Sequence, residues 1–268
     1  SGDLWNLGCT IVKETLIARA FATAAGILLF DKLFARFLPD VLVVIPDNSY
    51  FGMPAVAVAR KKGIPSLTAL AGQIFDHPRY GFLNADVIAV NGDSAKEVFL
   101  KRGISPHRVV VTGMAHYDDT FRLAESVRNS RKLAGSPLVV FATENLPLTE
   151  TFQMISPIAE AVLSTPKTRL AIRPHPREDP SNYGDFVRKF GSDRIVVDST
   201  TRLLDLLSIA DVCVTGFSNV AVEAMILGLP VICMNLSGRS DKLDYIKDGA
   251  ALGIYRASEA ASALYKVL

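Results

Sequence analysis

Cysteine is scarce in this 268-residue chain, and the three present form no pattern. Cys9, Cys213 and Cys233 cannot all pair internally, and no two stand at metal-ligand spacing. A disulfide scaffold and a zinc module are thereby excluded. Cys213 and Cys233 lie inside apolar runs, the common setting of a buried free thiol, which points to a reducing, cytoplasmic compartment. An excess of either charge is missing as well. Lys+Arg 29 against Asp+Glu 27 leaves +2, so the chain carries no broad electrostatic footprint for nucleic acid. Long hydrophobic runs are also absent. The longest, Ala20 to Phe30, spans 11 residues between Arg19 and Asp31, well short of the roughly 20 that cross a bilayer. No opening segment reads as a targeting peptide.

What is present is ordinary globular composition, 49% hydrophobic and 21% charged. The length suits about two domains of roughly 100–200 residues each. From Val41 onward, short β-rich runs alternate with helical patterns. Strands are expected at Val41–Pro46, Ser66–Leu70, Asp86–Val90, Arg108–Thr112, Leu138–Thr143, Arg169–Arg173, Arg194–Val197, Asp211–Thr215 and Pro230–Met234. Most are continuous apolar stretches, as strands covered on both faces should be. Helices are expected at Pro54–Lys62, Ser94–Arg102, Leu148–Leu163, Tyr183–Phe190, Thr201–Ala210, Asn219–Leu227 and Ser258–Lys266, three of them stopped by Gly63, Gly103 and Gly228. The class is α/β with parallel sheets, in two Rossmann-like domains.

The domain boundary is expected between Tyr117 and Pro137, where a charged helix-like stretch, Asp118–Lys132, ends in Ala134-Gly135-Ser136-Pro137. The division is then 1–130 and 131–268. The first half offers four strands and no early Gly-rich strand-to-helix turn, so either that domain is small or its first βαβ unit lies outside this sequence. It opens with a helix, Ile11 to Phe37, with Leu16, Ala20, Ala24, Ile27 and Leu28 as its apolar positions and Lys13, Arg19, Lys32 and Arg36 elsewhere. That pattern reads as a core-facing helix, or as an apolar and basic face for peripheral docking on a membrane surface.

The most informative segment runs from Ala210 to Ala224. A buried strand ends at Thr215, turns through Gly216 and Phe217, and starts a helix near Ser218 and Asn219, both good N-caps. Such a helix start binds phosphate by geometry and dipole together. Glu223 lies about 1.4 turns beyond Ser218, near enough to reach a ribose hydroxyl beside that phosphate. A second constellation, Arg173-Pro174-His175-Pro176-Arg177, continues a strand at the sheet end where ligands bind in doubly wound folds. The two prolines limit the freedom of His175, which can donate to a phosphate oxygen while Arg173 or Arg177 adds charge. In the first half, strand ends lead into Asp47 and Asn48, into Gly72, and into Gly113, where glycine permits close backbone approach. His77, like His116, lies at a strand-end loop. Asp211, just before a strand, reads as structural. No acidic or mixed metal motif stands out.

Together these segments resemble the two-domain nucleotide-sugar enzymes of the glycosyltransferase B type. Pro39-Asp40-Val41-Leu42-Val43-Val44, Lys62-Gly63-Ile64-Pro65, Ala85-Asp86-Val87-Ile88, Gly103-Ile104-Ser105-Pro106 and Val111-Thr112-Gly113 are similar to the latter part of their acceptor domain. Arg173-Pro174-His175-Pro176 is similar to the His-Pro motif of capsule polymerases, bacterial polysialyltransferases and CDP-glycerol glycerophosphotransferases, and Gly216-Phe217-Ser218-Asn219 to the serine motif of the same group. The resemblance implies transfer of a sugar or polyol-phosphate unit from a CMP-, CDP- or UDP-linked donor to a glycan or lipid-linked acceptor in surface polysaccharide synthesis, without a further cofactor. It implies that the Ser218–Val220 amides, the Ser218 hydroxyl and His175 hold the donor phosphate, that Glu223 holds the ribose, and that Asp47, with His77 in reserve, is the base for the acceptor hydroxyl. The non-hydrolysing UDP-N-acetylglucosamine 2-epimerases are similar over the same segments. Where they carry a His-Val-Glu-Ala-Gly element, this chain has Thr68-Ala69-Leu70-Ala71-Gly72, and their Thr-x-His-Arg-x-Glu-Asn element is represented only by Thr143-Glu144-Asn145. Leucine cannot exchange a proton, which favours the transferase. A catalytically silent nucleotide-sugar binding module is the reading from another class.

Overall fold

The computed structural model describes residues 2–70, 72–77, 80, 83–128, 136–238 and 240–268. The chain divides into two compact units, Ser1–Met114 and Ala115–Leu268. The division falls upstream of the boundary expected near 130, because helix α4 (Asp118–Arg128) buries Ala124 in the core of the second unit. Residues 129–135, including the Ala134-Gly135 linker expectation and the end of the Asp118–Lys132 stretch, lie outside the described residues.

In the first unit, helix α1 (Gly2–Phe37) leads into strands β1 (Leu42–Val44), β2 (Ser66–Ala69), β3 (Val87–Val90) and β4 (Val109–Val111), with α2 (Gly52–Lys61) and α3 (Asp93–Lys101) between them. The strands lie in sequence order and are parallel throughout. Phe34 of α1 and Ala55, Val58 and Ala59 of α2 cover one face, against Leu42 and Val44. Ile88, Val90, Phe99 and Val109 form the core on the other. Helix α1 departs from an ordinary core-facing helix: Leu16, Phe21, Leu28 and Leu29 are all more than half exposed, and Lys13, Arg19, Lys32 and Arg36 are exposed with them. Among its described side-chain positions, Gly26 and Phe34 are buried, Gly26 against Pro54. Among the described residues no helix is long and apolar enough to cross a membrane.

The second unit holds β5 (Leu138–Ala142), α5 (Leu148–Ser164), β6 (Arg169–Arg173), α6 (Gly184–Arg188), β7 (Ile195–Val197), α7 (Leu203–Ser208), β8 (Val212–Thr215), α8 (Asn219–Ile226), β9 (Val231–Met234), β10 (Leu252–Ile254) and α9 (Ala260–Val267). Its parallel sheet runs β10-β9-β8-β5-β6-β7. The continuous apolar runs are buried on both faces. Val139, Phe141, Leu170, Ile172, Val212, Val214 and Ile232 point to α5 and α9, while Leu138, Val140, Ala171, Cys213 and Cys233 point to α4, α7 and α8. Strand β10 had no counterpart among the expected strands; it is three residues long with Gly253 at its centre.

Two aspartates that precede strands tie the sheets together. The Asp86 carboxylate accepts the Ser66 N–H at 2.8 Å and its hydroxyl at 2.7 Å, and the Asp211 carboxylate accepts the Leu138 N–H at 2.7 Å. Each fastens the start of a neighbouring strand, the structural role read for Asp211. Arg194 closes the end of α5, donating to the carbonyls of Val162, Leu163, Thr165 and Thr168. A cation there satisfies orphan acceptors and the helix dipole together.

Candidate donor site at the second sheet

In the order β10-β9-β8-β5-β6-β7 the chain winds one way from β5 to β7 and the other way from β8 to β10. The reversal lies between the adjacent strands β5 and β8. In open α/β sheets a ligand crevice forms there, beyond the carboxyl ends of the strands. The residues at those ends are Thr143 and Glu144 after β5, Gly216 to Ser218 after β8, and the Pro-His-Pro loop after β6, the strand next to β5 on its other side.

Ser218 is the N-cap of α8, with extended backbone and a side-chain oxygen that accepts the Val220 N–H at 3.3 Å. The Ser218 carbonyl takes the Ala221 N–H. Of the expected phosphate donors the Val220 N–H is therefore in use, while the Ser218 hydroxyl accepts there and keeps its own proton to donate. The Phe217 N–H lies beside the Glu144 carboxylate and favours its charged form. Glycine at 216 lets the Glu144 carboxyl lie against the turn, since a Cβ there would lie 2.5 Å from Glu144 Oε2 and 2.8 Å from its Cδ and would displace that side chain. Glu144 is also within electrostatic reach of Lys242 and His175, yet burial outweighs them and raises its carboxyl above the ordinary range. Glu144 was not among the expected site residues.

His175 is held from both sides. Its N–H donates to Thr143 Oγ1 and to Glu178 Oε2, each at 2.8 Å, and Thr143 Oγ1 donates to the same carboxylate oxygen. The fully buried Tyr183 hydroxyl lies beside this pair, and its burial, with the Glu178 carboxylate's charge nearby, pushes it up to about 12. The Arg177 N–H donates to His175 Nδ1 at 3.1 Å. With Nδ1 accepting, the neutral imidazole keeps its proton on Nε2, which makes Nε2–H the donor available to a ligand. Arg173 does not join it: its guanidinium donates to the Asp198 carbonyl at 3.0 Å and stands 3.9 Å from that carboxylate. Asn219 is exposed at the start of α8. Glu223, on the same helix, is half-buried and raised by burial.

A polar clamp holds the loop after β9. Asn235 donates to Asp241 at 2.8 Å, Tyr255 donates to the other carboxylate oxygen at 2.6 Å, and Ser237 donates to Asn235 at 2.7 Å. The clamp fixes the segment that brings Lys242 towards Glu144.

The first unit's candidates are more scattered. Asp47 is fully buried, with Oδ2 accepting the Asn84 N–H at 2.5 Å and the Ala85 N–H at 2.7 Å while its own N–H donates to Thr68 Oγ1 at 3.2 Å. A general base must reach the proton it removes, so Asp47 serves here as a backbone anchor. Asn48 follows it, half-buried. His77 is exposed and in edge-on contact with Phe75. Gly72 and Gly113 adopt φ of +82° and +72°, the left-handed region that favours glycine. Among the described residues no three His, Cys, Asp or Glu side chains are grouped to hold a metal.

Solved structures share this architecture. A UDP-GlcNAc 2-epimerase from Methanocaldococcus jannaschii superposes with a TM-score of 0.66 at 19% identity, over 92% of this chain and 75% of its own. One from Neisseria meningitidis, bound to UDP-GlcNAc, gives 0.63 at 15% identity over 91% and 72%. A spinosyn rhamnosyltransferase complexed with spinosyn aglycone gives 0.54 at 12% identity over 93% and 71%. The chain has the glycosyltransferase B type of fold. At these identities the likeness is one of fold. No protein-family model matches the sequence, and no curated protein matches it either.

Proposed function

We propose that the protein binds a nucleotide-activated sugar at the β5/β8 end of the second unit and transfers its sugar or polyol-phosphate unit to a glycan or lipid-linked acceptor. The observation that supports this is a capped helix start at Ser218 beyond the sheet's switch point, with an Nε2–H donor on His175 after the next strand, β6, and a half-buried carboxyl on Glu223 in the same helix. His175 and the turn at Gly216 and Phe217 meet the donor phosphate and stabilise the charge that develops on it as the bond to the sugar breaks. Glu223 takes the ribose hydroxyls, whose two donated hydrogen bonds offset the cost of burying its charge. Fixed donors at the leaving group account for catalysis without a resident cofactor. Of the first unit's two candidates for the acceptor's base, only His77 is open to solvent, and the proposal carries it in that role. The exposed apolar and basic side chains of α1 suit an acceptor met at a membrane surface.

The second reading is an isomerase, favoured by the epimerases among the similar folds. Against it, the place of their glutamate is taken by the buried Leu70. Product analysis separates the two. Incubation with UDP-N-acetylglucosamine and no acceptor yields an epimer from an isomerase. A transferase leaves that sugar's configuration unchanged and releases nucleotide only when a CMP-, CDP- or UDP-linked donor meets its acceptor. An epimer formed without acceptor refutes the transferase.

A further inference from the structure

The turn that leads into α8 is already occupied by an acidic group, and that group belongs to the protein. The Glu144 carboxylate lies against Gly216, close enough that a methyl group there would strike it, and the adjacent Phe217 N–H favours its charged form. Those are the groups that the donor-site reading assigns to the phosphate. A carboxylate and a phosphate cannot share one turn with both charges intact, because two like charges a few ångströms apart in a partly dehydrated crevice repel strongly. We propose that Glu144 is a placeholder in the phosphate seat, and that seating an anion on the α8 turn takes one proton up onto Glu144.

Every ionisable neighbour the structure assigns to Glu144 bears on this exchange. Lys242, from the loop after β9, and His175, from the loop after β6, stabilise the carboxylate; the Cys233 thiol on β9 lies within reach of its charge. When a phosphate arrives, the Lys242 ammonium and the His175 Nε2–H can face the incoming charge. Glu144, protonated, turns from competitor into hydrogen-bond donor. The proton needs no co-reactant, since it comes from solvent. Burial has already moved this carboxyl towards the neutral form, which lowers the work of the exchange. The carboxylate meanwhile fills the space against Gly216 while no donor is bound. It also makes anion affinity fall as pH rises, through a carboxyl losing its proton.

The inference rests on the donor-site reading, and the test separates the two. Two anions that do not titrate between pH 5 and 8 are used on the full chain: UDP-N-acetylglucosamine, whose phosphates are fully esterified or internal, and sulfate. Affinity is measured across that range for the wild type, Glu144→Gln and His175→Asn. One linked proton weakens binding by up to tenfold for each unit of rising pH above the free carboxyl's ionisation. The expected result is that slope in the wild type and in His175→Asn, with weaker binding throughout in the latter, and a flat profile with tighter binding at pH 8 in Glu144→Gln. The conservative amide keeps the shape and the hydrogen-bonding capacity, so a merely structural role would not remove the slope. If sulfate shows the pattern and the nucleotide sugar does not bind, Glu144 holds its place and the donor reading fails. A slope that survives in Glu144→Gln, one that vanishes in His175→Asn alone, a flat wild-type profile, or no binding of either anion overturns the inference.

Discussion

Replacing Asp47 tests whether that residue is an anchor or a base. In Asp47→Ala the Ala85 N–H, fully buried, loses its acceptor, and the Asn84 N–H, partly buried, loses the same oxygen. An orphaned buried donor costs about 1–3 kcal/mol. The Asn84 amide recovers part of its loss through water, so the sum is about 2–4 kcal/mol against the first unit. Asp47→Asn keeps an acceptor at the same place and removes a carboxylate whose Oδ1 has no protein partner, so it should lie within about 1 kcal/mol of wild type. The pH dependence has a fixed sign. Burial raises the Asp47 carboxyl despite the Ala85 and Asn84 hydrogen bonds and the charges of Arg108 and Arg60. A raised folded-state value means the native state binds the proton more tightly, so this contribution is present at low pH and is lost as pH rises through the folded value. Wild type should therefore gain on Asp47→Asn as the solution is acidified towards the carboxylate range. The assay is hydrogen exchange of peptides covering β1 to β4 under a urea series, which reads the first unit apart from the second. Asp47→Ala exchanging at the wild-type urea midpoint would refute the anchoring argument.

Ser218→Ala removes the N-cap of α8 and should cost the second unit about 1 kcal/mol, seen as a lowered urea midpoint, in addition to any loss of ligand. Glu178→Ala leaves the His175 N–H with Thr143 Oγ1 alone. It should weaken nucleotide binding by roughly tenfold, about 1.4 kcal/mol, while the second unit remains folded; unchanged affinity would show that the loop is held without it. Asp86 lies below the usual carboxylate range, chiefly through the Ser66 hydroxyl. Its contribution is present above the unfolded value and lost as pH falls through the folded one, so acid melts of Asp86→Asn should be flatter than wild type in that window. Cys213 and Cys233 are buried free thiols, with Cys233 pushed up to about 12 chiefly by burial. Both should resist alkylation at pH 8 until the second unit is unfolded, as mass mapping of the labelled cysteines would show.

Much of the fold was legible because a parallel sheet buries both faces of its strands. The runs 138–143, 169–173, 211–215 and 230–234 are apolar without alternation, and each became a strand within a residue or so of its expected ends. Helix stops at Gly63, Gly103 and Gly228 were equally readable, since all three adopt positive φ. Strand β10 was hidden by its brevity and its central glycine. At the site, the local signals were the visible ones: two prolines around His175 and a cap at Ser218. Glu144 was obscured because it meets Gly216 through the order of the sheet, in which β8 leaves its sequence neighbours and lies beside β5. Sequence periodicity carries no record of that order. Its traces were the Thr143-Glu144-Asn145 remnant of the epimerase element and Gly216 itself, where a strand turns into a helix with the Glu144 carboxyl against the glycine. Asp47 and Arg173 misled for a related reason. Each ends a strand, as ligand-binding residues do, but backbone amides claim the first and Asp198 the second. The apolar periodicity of α1 suggested a packed face, whereas most of those side chains are exposed.

The central claim is that the β5/β8 end of the second unit is a nucleotide site, and ligand-induced stabilisation tests it most directly. Melting midpoints are recorded with CMP, CDP, UMP, UDP, GDP and ADP for wild type, His175→Ala and Ser218→Ala. At about 100 times its dissociation constant a ligand adds roughly 2.7 kcal/mol to the folded state, which is readily visible as a raised midpoint. The account predicts a shift with a pyrimidine nucleotide in the wild type that both substitutions diminish. No shift with any nucleotide, or one that survives undiminished in both variants, would contradict it.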